Sequence, residues 1–345
     1  MSEATDRRSS PKPELGRGER VLPGVYRLRL PLPWPGVPHG NAWAVAADGG
    51  VVLFDTGYHG PGSMVELERA MGMCGLALEE VRLLVCTHAH SDHYGQAATI
   101  VERTGCELLI HPSYTHVAGM VEEPAAALER RLQVARRGGV PEEPLRRLAA
   151  DRAEQSSGVA AMIAPDRPLL PGVRVVTDLG EWTVHETPGH APSHVCLFQP
   201  ERRLLISGDH LLGRISLFFD YGHTPDPLGE FLKSLDVVKN LGARLCLSGH
   251  GRTFADVHAH IEGNRELVHE RLGRAVAALA GGAELTAFEV APHVYGEPIH
   301  EFAAPWALTE TLAILDHLEL TGAVERIAGM PERWRARPRA DSAGP

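Results

Sequence analysis

Thr87-His88-Ala89-His90-Ser91-Asp92-His93-Tyr94-Gly95 is the stretch that decides how this chain is read. His88, His90, Asp92 and His93 place four ligand-type side chains within six residues. The run that delivers the chain into them, 81–86, is short, apolar and bounded by polar residues, so it reads as a buried strand. Imidazole with carboxylate suits Zn²⁺, Fe²⁺ or Mn²⁺. In a tight loop alternate side chains point the same way, so His88 and His90 can face one cation. Asp92 and His93 lie further round and can face a second. A single loop histidine is usually solvated, but four ligand types packed into one strand end are not a solvation pattern.

Three later points share this layout. Thr187-Pro188-Gly189-His190, Ser207-Gly208-Asp209-His210 and Ser248-Gly249-His250-Gly251 each follow an apolar, strand-like run. Any one of them alone reads as an ordinary turn. Together, in order, they collect His190, Asp209 and His250 at strand ends, which is how a rigid scaffold preorganises a site.

The rest of the chain supplies the scaffold. Strands are expected at 25–30, 41–46, 51–54, 81–86, 107–110, 173–177, 182–186, 195–199, 204–207 and 244–247. Helices are expected at 62–73, 96–103, 228–240, 258–280 and 308–320. Alternation of the two predicts an α/β fold. Between 117 and 165 the sequence turns Ala-, Arg-, Glu- and Leu-rich, and two or three helices without a strand are expected, as an insertion. A chain of 345 residues holds either one elaborated domain or a large one with a smaller companion. The reading divides it into a main domain over 21–260, a C-terminal helical region over 261–330, and polar, disordered tails over 1–20 and 331–345.

Composition narrows the function classes. No run approaches the ~18 apolar residues of a membrane span, and residues 1–20 lack the apolar core of a secretory signal, so a cytoplasmic protein with no membrane partner is expected. A formal charge of −10 disfavours nucleic acid unless a local basic patch offsets it. Arg130, Arg131, Arg136, Arg137, Arg146 and Arg147 are interspersed with Glu129, Glu142 and Glu143, the pattern of a solvated helix face. Five cysteines, an odd number without a C-x-x-C pair, exclude a disulfide framework and a thiolate zinc site. Cys86, Cys196 and Cys246 lie in apolar runs and are expected to be packed.

The set His88-x-His90-x-Asp92-His93, His190, Asp209 and His250 resembles the metallo-β-lactamase superfamily over residues 24–253. The resemblance implies a four-layer αββα sandwich with two divalent ions, zinc first and iron or manganese as alternatives, at one edge. It assigns His88, His90 and His190 to one ion, Asp92, His93 and His250 to the other, and Asp209 to both. Asp55, in Phe54-Asp55-Thr56-Gly57, matches an aspartate that supports the ligand loop, and His194 is a second supporting candidate. True β-lactamases lack the aspartate that Asp209 supplies. The pattern is closer to the glyoxalase II, lactonase and lactamase-β-like hydrolases, and 308–324 resembles the small helical, winged-helix-type appendage of the last group.

Two cations sharing one water lower its pKa toward ~7, giving a bridging hydroxide nucleophile for acyl transfer. Asp92 and Asp209 are the candidate catalytic residues, the first as ligand and proton shuttle, the second as the group that sets the spacing and charge. The expected substrate is a small molecule with a thioester or an ester/lactone bond. A ribonuclease or phosphodiesterase is the alternative, and a mononuclear iron, persulfide-dioxygenase-like enzyme ranks third. Tyr94, Arg214, Phe218, Phe219, Tyr221 and His223 are candidate substrate contacts, and Trp34 and His39 a candidate rim. The insertion reads equally as a lid, a scaffold or a homodimer contact.

Overall fold

Strands that are apolar on both faces must be covered on both sides, and this sequence supplies two such sets. The computed structural model describes residues 15–34, 36–153, 155–296 and 304–338. β1 (Arg17–Leu22), β2 (Val25–Trp34), β3 (Val37–Ala47), β4 (Gly50–Phe54), β5 (Val81–Val85), β6 (Glu107–Ile110) and β7 (Arg167–Pro168) form one sheet in chain order. Its β1–β4 half is antiparallel and its β4–β7 half parallel. The second sheet runs in the order β12 (Leu245–Ser248), β11 (Leu204–Gly208), β10 (Val195–Gln199), β9 (Gly180–Glu186), β8 (Arg174–Thr177). Only its β11–β12 pair is parallel.

Side chains alternate across each strand, and the alternation sorts them into three apolar layers. Trp43 and Val45 of β3 point between the sheets, where they meet Trp182, Val195, Leu197 and Ile206. Ala42 and Ala44 point the other way, with Leu84, towards the helical residues Leu67, Met71 and Ile100. Cys196, Phe198, Leu205 and Cys246 on the far side of the second sheet join Leu228, Leu235, Val268 and Leu315. The product is the expected four-layer αββα sandwich. Helices α1 (Ser63–Met73), α2 (Ser91–Tyr94) and α3 (Ala97–Thr104) cover the first sheet. In the insertion follow α4 (Ala118–Glu122), α5 (Pro124–Arg137) and α6 (Glu142–Ala153). The second sheet is covered by α7 (Pro227–Leu241), α8 (Val257–Ala278), α9 (Ala287–Tyr295) and α10 (Ala304–Leu320). Leu132, Ala135 and Leu145 of the insertion are buried in that same layer, which ties α5 and α6 to the C-terminal helices.

The tails are shorter than the sequence suggested. Residues 17–20, expected to be disordered, belong to β1, an edge strand whose charged residues are what an exposed sheet edge carries. At the other end, β13 (Val324–Ile327) pairs with β14 (Arg333–Ala336), so the C-terminal appendage is helical with a two-stranded hairpin and extends past 330. Trp334 drives that ordering: it is fully buried among the α8–α10 core residues. The boundary at 260 also falls inside a continuous helix, α8. The remaining parts of both expected tails, 1–14 and 339–345, lie outside the described residues.

Candidate metal centre

The C-terminal ends of β4, β5, β9, β11 and β12 open on one edge of the sandwich. Asp55 follows β4, the His88–His93 loop follows β5, His190 lies in the loop after β9, Asp209 follows β11 and His250 follows β12. Close approach here depends on glycine: a Cβ on Gly249 would stand 2.1 Å from Asp209 Oδ1 and 2.7 Å from the His93 ring.

Two groups of donors result. His88 Nε2 and His190 Nε2 lie 3.1 and 3.0 Å from His90 Nδ1. In the second group, His250 Nε2 is 3.0 Å from Asp92 Oδ2 and 3.2 Å from Asp209 Oδ2. His93 Nε2 is 3.3 Å from Asp209 Oδ1 and 3.5 Å from Asp92 Oδ2. Asp209 Oδ2 also lies 3.8 Å from His190 Nε2, so this carboxylate faces both groups.

Whether these residues suit a cation is decided by their outward nitrogens. His190 Nδ1 donates to the Phe218 carbonyl at 3.2 Å and His250 Nδ1 to the His39 carbonyl at 3.1 Å. His93 Nδ1 donates to Asp55 Oδ2 at 2.8 Å and His90 Nε2 to Asp220 Oδ2 at 3.3 Å. The Thr87 hydroxyl donates to Asp55 Oδ2 at 3.0 Å and accepts from His88 Nδ1 at 3.0 Å. Each of the five rings therefore has one nitrogen anchored by an outer partner and aims the other inwards, where a cation can bind it or displace its proton. That is the arrangement a metal-binding histidine takes when an outer partner fixes its tautomer. His93 Nε2 and Asp209 Oδ1 are buried with no hydrogen-bond partner, a cost of ~1–3 kcal/mol each that a cation would remove.

Electrostatics separate the two groups. Burial and the neighbouring imidazoles hold His88 well below its ordinary pKa and bring His190 down to about 3, so these two rings are neutral. Around the second, burial opposes charge on His250, but Asp209 and Asp92 outweigh it and raise the ring to about 10. His93 is raised in the same way, by Asp209, Asp92 and Asp55 against its burial. Both carboxylates resist their own burial and are held well below the usual range by His93 and His250.

Asp55 stands in the left-handed region at φ 64°, strain that its three accepted hydrogen bonds maintain: Thr87 N at 2.7 Å, the Thr87 hydroxyl and His93. His194 works on Asp209. It donates from Nδ1 to Thr187 Oγ1 at 2.8 Å and accepts the Asp209 backbone N–H at 3.1 Å, fixing where that carboxylate starts.

The expected substrate contacts divide. Phe218 lies edge-on to His90 and tilted against His190, with ring centres 5.7 and 5.3 Å away, so it walls the first group. Tyr94 does not reach the site: it is fully buried and its hydroxyl bonds the Ile163 carbonyl and N–H at 3.1 and 2.9 Å. One residue on along α2, the helix has turned its side chain from the donors into the core. Phe219 is likewise buried, against Phe231. Tyr221 packs towards the C-terminal helices, where burial and Asp316 raise its hydroxyl pKa. Arg214 is exposed, and His223 reaches Asp220 rather than either donor group. Trp34 stacks edge-on to Tyr58 at 5.9 Å, and His39 contributes its carbonyl to His250. Asp220 and His116 were missed. They lie 130 and 26 residues from His90 and neither sits in a local pattern, so the sequence offered no signal for them.

The family model for the metallo-β-lactamase superfamily matches residues 35–250. The chain belongs to that superfamily. A "Probable metallo-hydrolase YqjP" of Bacillus subtilis is 24% identical over 313 residues, 87% of this chain and 93% of the relative. A solved metallo-β-lactamase family protein of Thermus thermophilus, TTHA1429, superposes with a TM-score of 0.77 at 30% identity, covering 92% of this chain and 100% of its own. A shorter match, 29% identical over 118 residues, is to an atrochrysone carboxyl ACP thioesterase of Aspergillus chevalieri, covering 32% of this chain and 36% of the relative. Inside the matched span, His88, His90 and His190 form one group of donors and Asp92, His93, Asp209 and His250 a second, with Asp209 facing both.

Proposed function

We propose that this chain is a two-cation hydrolase that cleaves the acyl bond of a small thioester, ester or lactone, with zinc as the first candidate ion. The observation that carries it is the set of five imidazoles anchored by outer partners and turning their other nitrogens inwards, closed by two carboxylates. His88, His90 and His190 would hold one ion, Asp92, His93 and His250 the other, and Asp209 both. Bound there, divalent cations supply a water of lowered pKa and polarise the scissile carbonyl.

The chain's own residues do the rest. Asp209 fixes the separation of the two groups because its oxygens face both. Asp92, ionised and beside His250, holds a proton between attack and departure of the leaving group. Phe218 offers an apolar edge to the acyl chain next to the first group. The thioesterase activity named for the fungal relative supports acyl chemistry over phosphodiester chemistry, as does the net charge of −10. No described helix is long and apolar enough to cross a membrane.

The test is to load the protein with zinc, measure metals by plasma mass spectrometry, and screen thioesters, lactones, β-lactams and phosphodiesters beside Asp209→Ala. Two ions per chain with acyl-bond hydrolysis, both lost in Asp209→Ala, is the expected result. Phosphodiester cleavage alone, or full metal content and rate in the variant, overturns the proposal.

A further inference from the structure

We propose that His116, Asp220 and His223 form a third divalent-cation site, for an ion of the zinc class, beside the first donor group. His116 comes from the 3₁₀ turn Pro112–Val117 at the start of the insertion, and Asp220 and His223 from the loop after β11. The His116 ring is pinned: Nδ1 donates to the Ser113 carbonyl at 2.8 Å. A carbonyl only accepts, so the proton sits on Nδ1 in the tautomer that leaves Nε2 free for a cation. That nitrogen is buried, its side chain is 5% exposed, and it has no hydrogen-bond partner. Asp220 Oδ2 stands 3.3 Å from it without the alignment a hydrogen bond needs. Two acceptors thus converge on a point beside both of them.

His116 Nε2 and Asp220 Oδ2 stand at the spacing of a coordination shell, with His90 as the third near donor, and His223 approaches Asp220 from the exposed side. Ligand atoms bonded at ~2.0–2.1 Å to a tetrahedral ion lie about 3.3–3.4 Å apart. Asp220 Oδ2 is 3.3 Å from His116 Nε2 and 3.6 Å from His223 Nε2, the same range as in the two groups already described. The His116 and His223 rings meet edge to face, with centres 5.2 Å apart. Asp220 is anchored by its own backbone, which donates to the His190 carbonyl at 3.0 Å. The side chains of His223 and Asp220 are 36% and 22% exposed, so an ion has a path in and a water can complete the shell. Two placed ligands, and a third in His223 that must swing in from the exposed side, predict weaker binding than in the closed, seven-residue cluster. Asp220 also accepts from His90 Nε2, so the same carboxylate touches a ligand of the first group.

The inference goes beyond the two-cation reading, and its test separates the two. Wild type, His223→Ala, His116→Ala and Asp209→Ala are dialysed against ZnCl₂ over a range of free zinc, and bound metal is counted. His223→Ala and His116→Ala should each hold one ion fewer than wild type at saturation. Asp209→Ala should lose metal from the other groups and keep the ion that His223→Ala removes. Should His116→Ala fail to fold, His223→Ala, a change at a half-exposed side chain, carries the result. A Co²⁺ titration gives an independent readout: visible absorption that wild type gains in its last equivalent should be missing from His223→Ala. Identical zinc stoichiometry in wild type and His223→Ala at every free concentration overturns the third site, whatever Asp209→Ala does.

Discussion

Asp55→Asn should weaken the second cation group while leaving the fold in place. Asp55 occupies a left-handed backbone position at φ 64°, and asparagine is one of the few residues that visit that region readily. The substitution therefore isolates chemistry from backbone strain. The asparagine carbonyl can keep the Thr87 N–H bond of 2.7 Å. Its amide NH₂ then faces two donors, His93 Nδ1 at 2.8 Å and the Thr87 hydroxyl at 3.0 Å. His93 can restore a hydrogen bond only by moving its proton to Nε2, the nitrogen aimed at Asp92 and Asp209. That proton occupies the lone pair a cation needs.

The lost interaction is a charge-assisted hydrogen bond, worth ~1.5–3 kcal/mol. At 1.36 kcal/mol per tenfold, this becomes about a 10- to 150-fold loss of affinity at the second group. The first group should change less, because His90 and His190 are pinned elsewhere, by Asp220 and the Phe218 carbonyl. Zinc competition against a chromophoric chelator at neutral pH reads the affinity, and thermal melting of the metal-free protein checks the fold. Wild-type affinity for both ions in a folded Asp55→Asn would show that the outer partner of His93 does not set its tautomer. The reasoning applied to the other four rings would then fail with it.

Other expectations follow from the same geometry. In metal-free protein, His250 is raised from its ordinary 6.5 to about 10, so the stability it contributes is complete below 6.5 and lost as pH rises through 10. The melting temperature without metal should fall between pH 6.5 and 9 and stay flatter with zinc, where the ion replaces the proton; a metal-free melting temperature that climbs over that window contradicts this. Tyr94→Phe leaves the Ile163 N–H without its partner and should cost ~1–3 kcal/mol in denaturant unfolding with kcat unchanged; a fall in kcat at unchanged stability would return Tyr94 to the site. Trp334→Ala empties a fully buried position between the hairpin and the C-terminal helices and should destabilise by about 3–5 kcal/mol. A variant as stable as wild type would show that β14 is not part of the folded core.

What the sequence revealed and what it hid have one physical cause. The His88–His93 motif was legible because four ligands crowd a single loop, and Asp209 and His250 because each follows a glycine at the end of an apolar strand. Those signals are local, and so is the alternation that sorts Trp43 from Ala44 or Leu197 from Phe198. Tyr94 and Phe219 misled because adjacency to a functional residue says nothing about direction: on a helix or an extended segment the next side chain points elsewhere. Polarity misled at the ends. The charged residues 17–20 looked like a tail, although an edge strand needs charge where it meets solvent. In 333–336 the alternation was present, with Arg333 and Arg335 outward on Glu289 and Glu284 and Trp334 inward, but it spans four residues and reads as part of a polar tail. His116 and Asp220 belong to a different class. Their chemistry exists only because the insertion and the loop after β11 fold over the same strand end, a contact between segments about 100 residues apart that no window along the chain contains. Sites of that kind are visible only when side-chain nitrogens are followed to their partners, and the one on His116 has none.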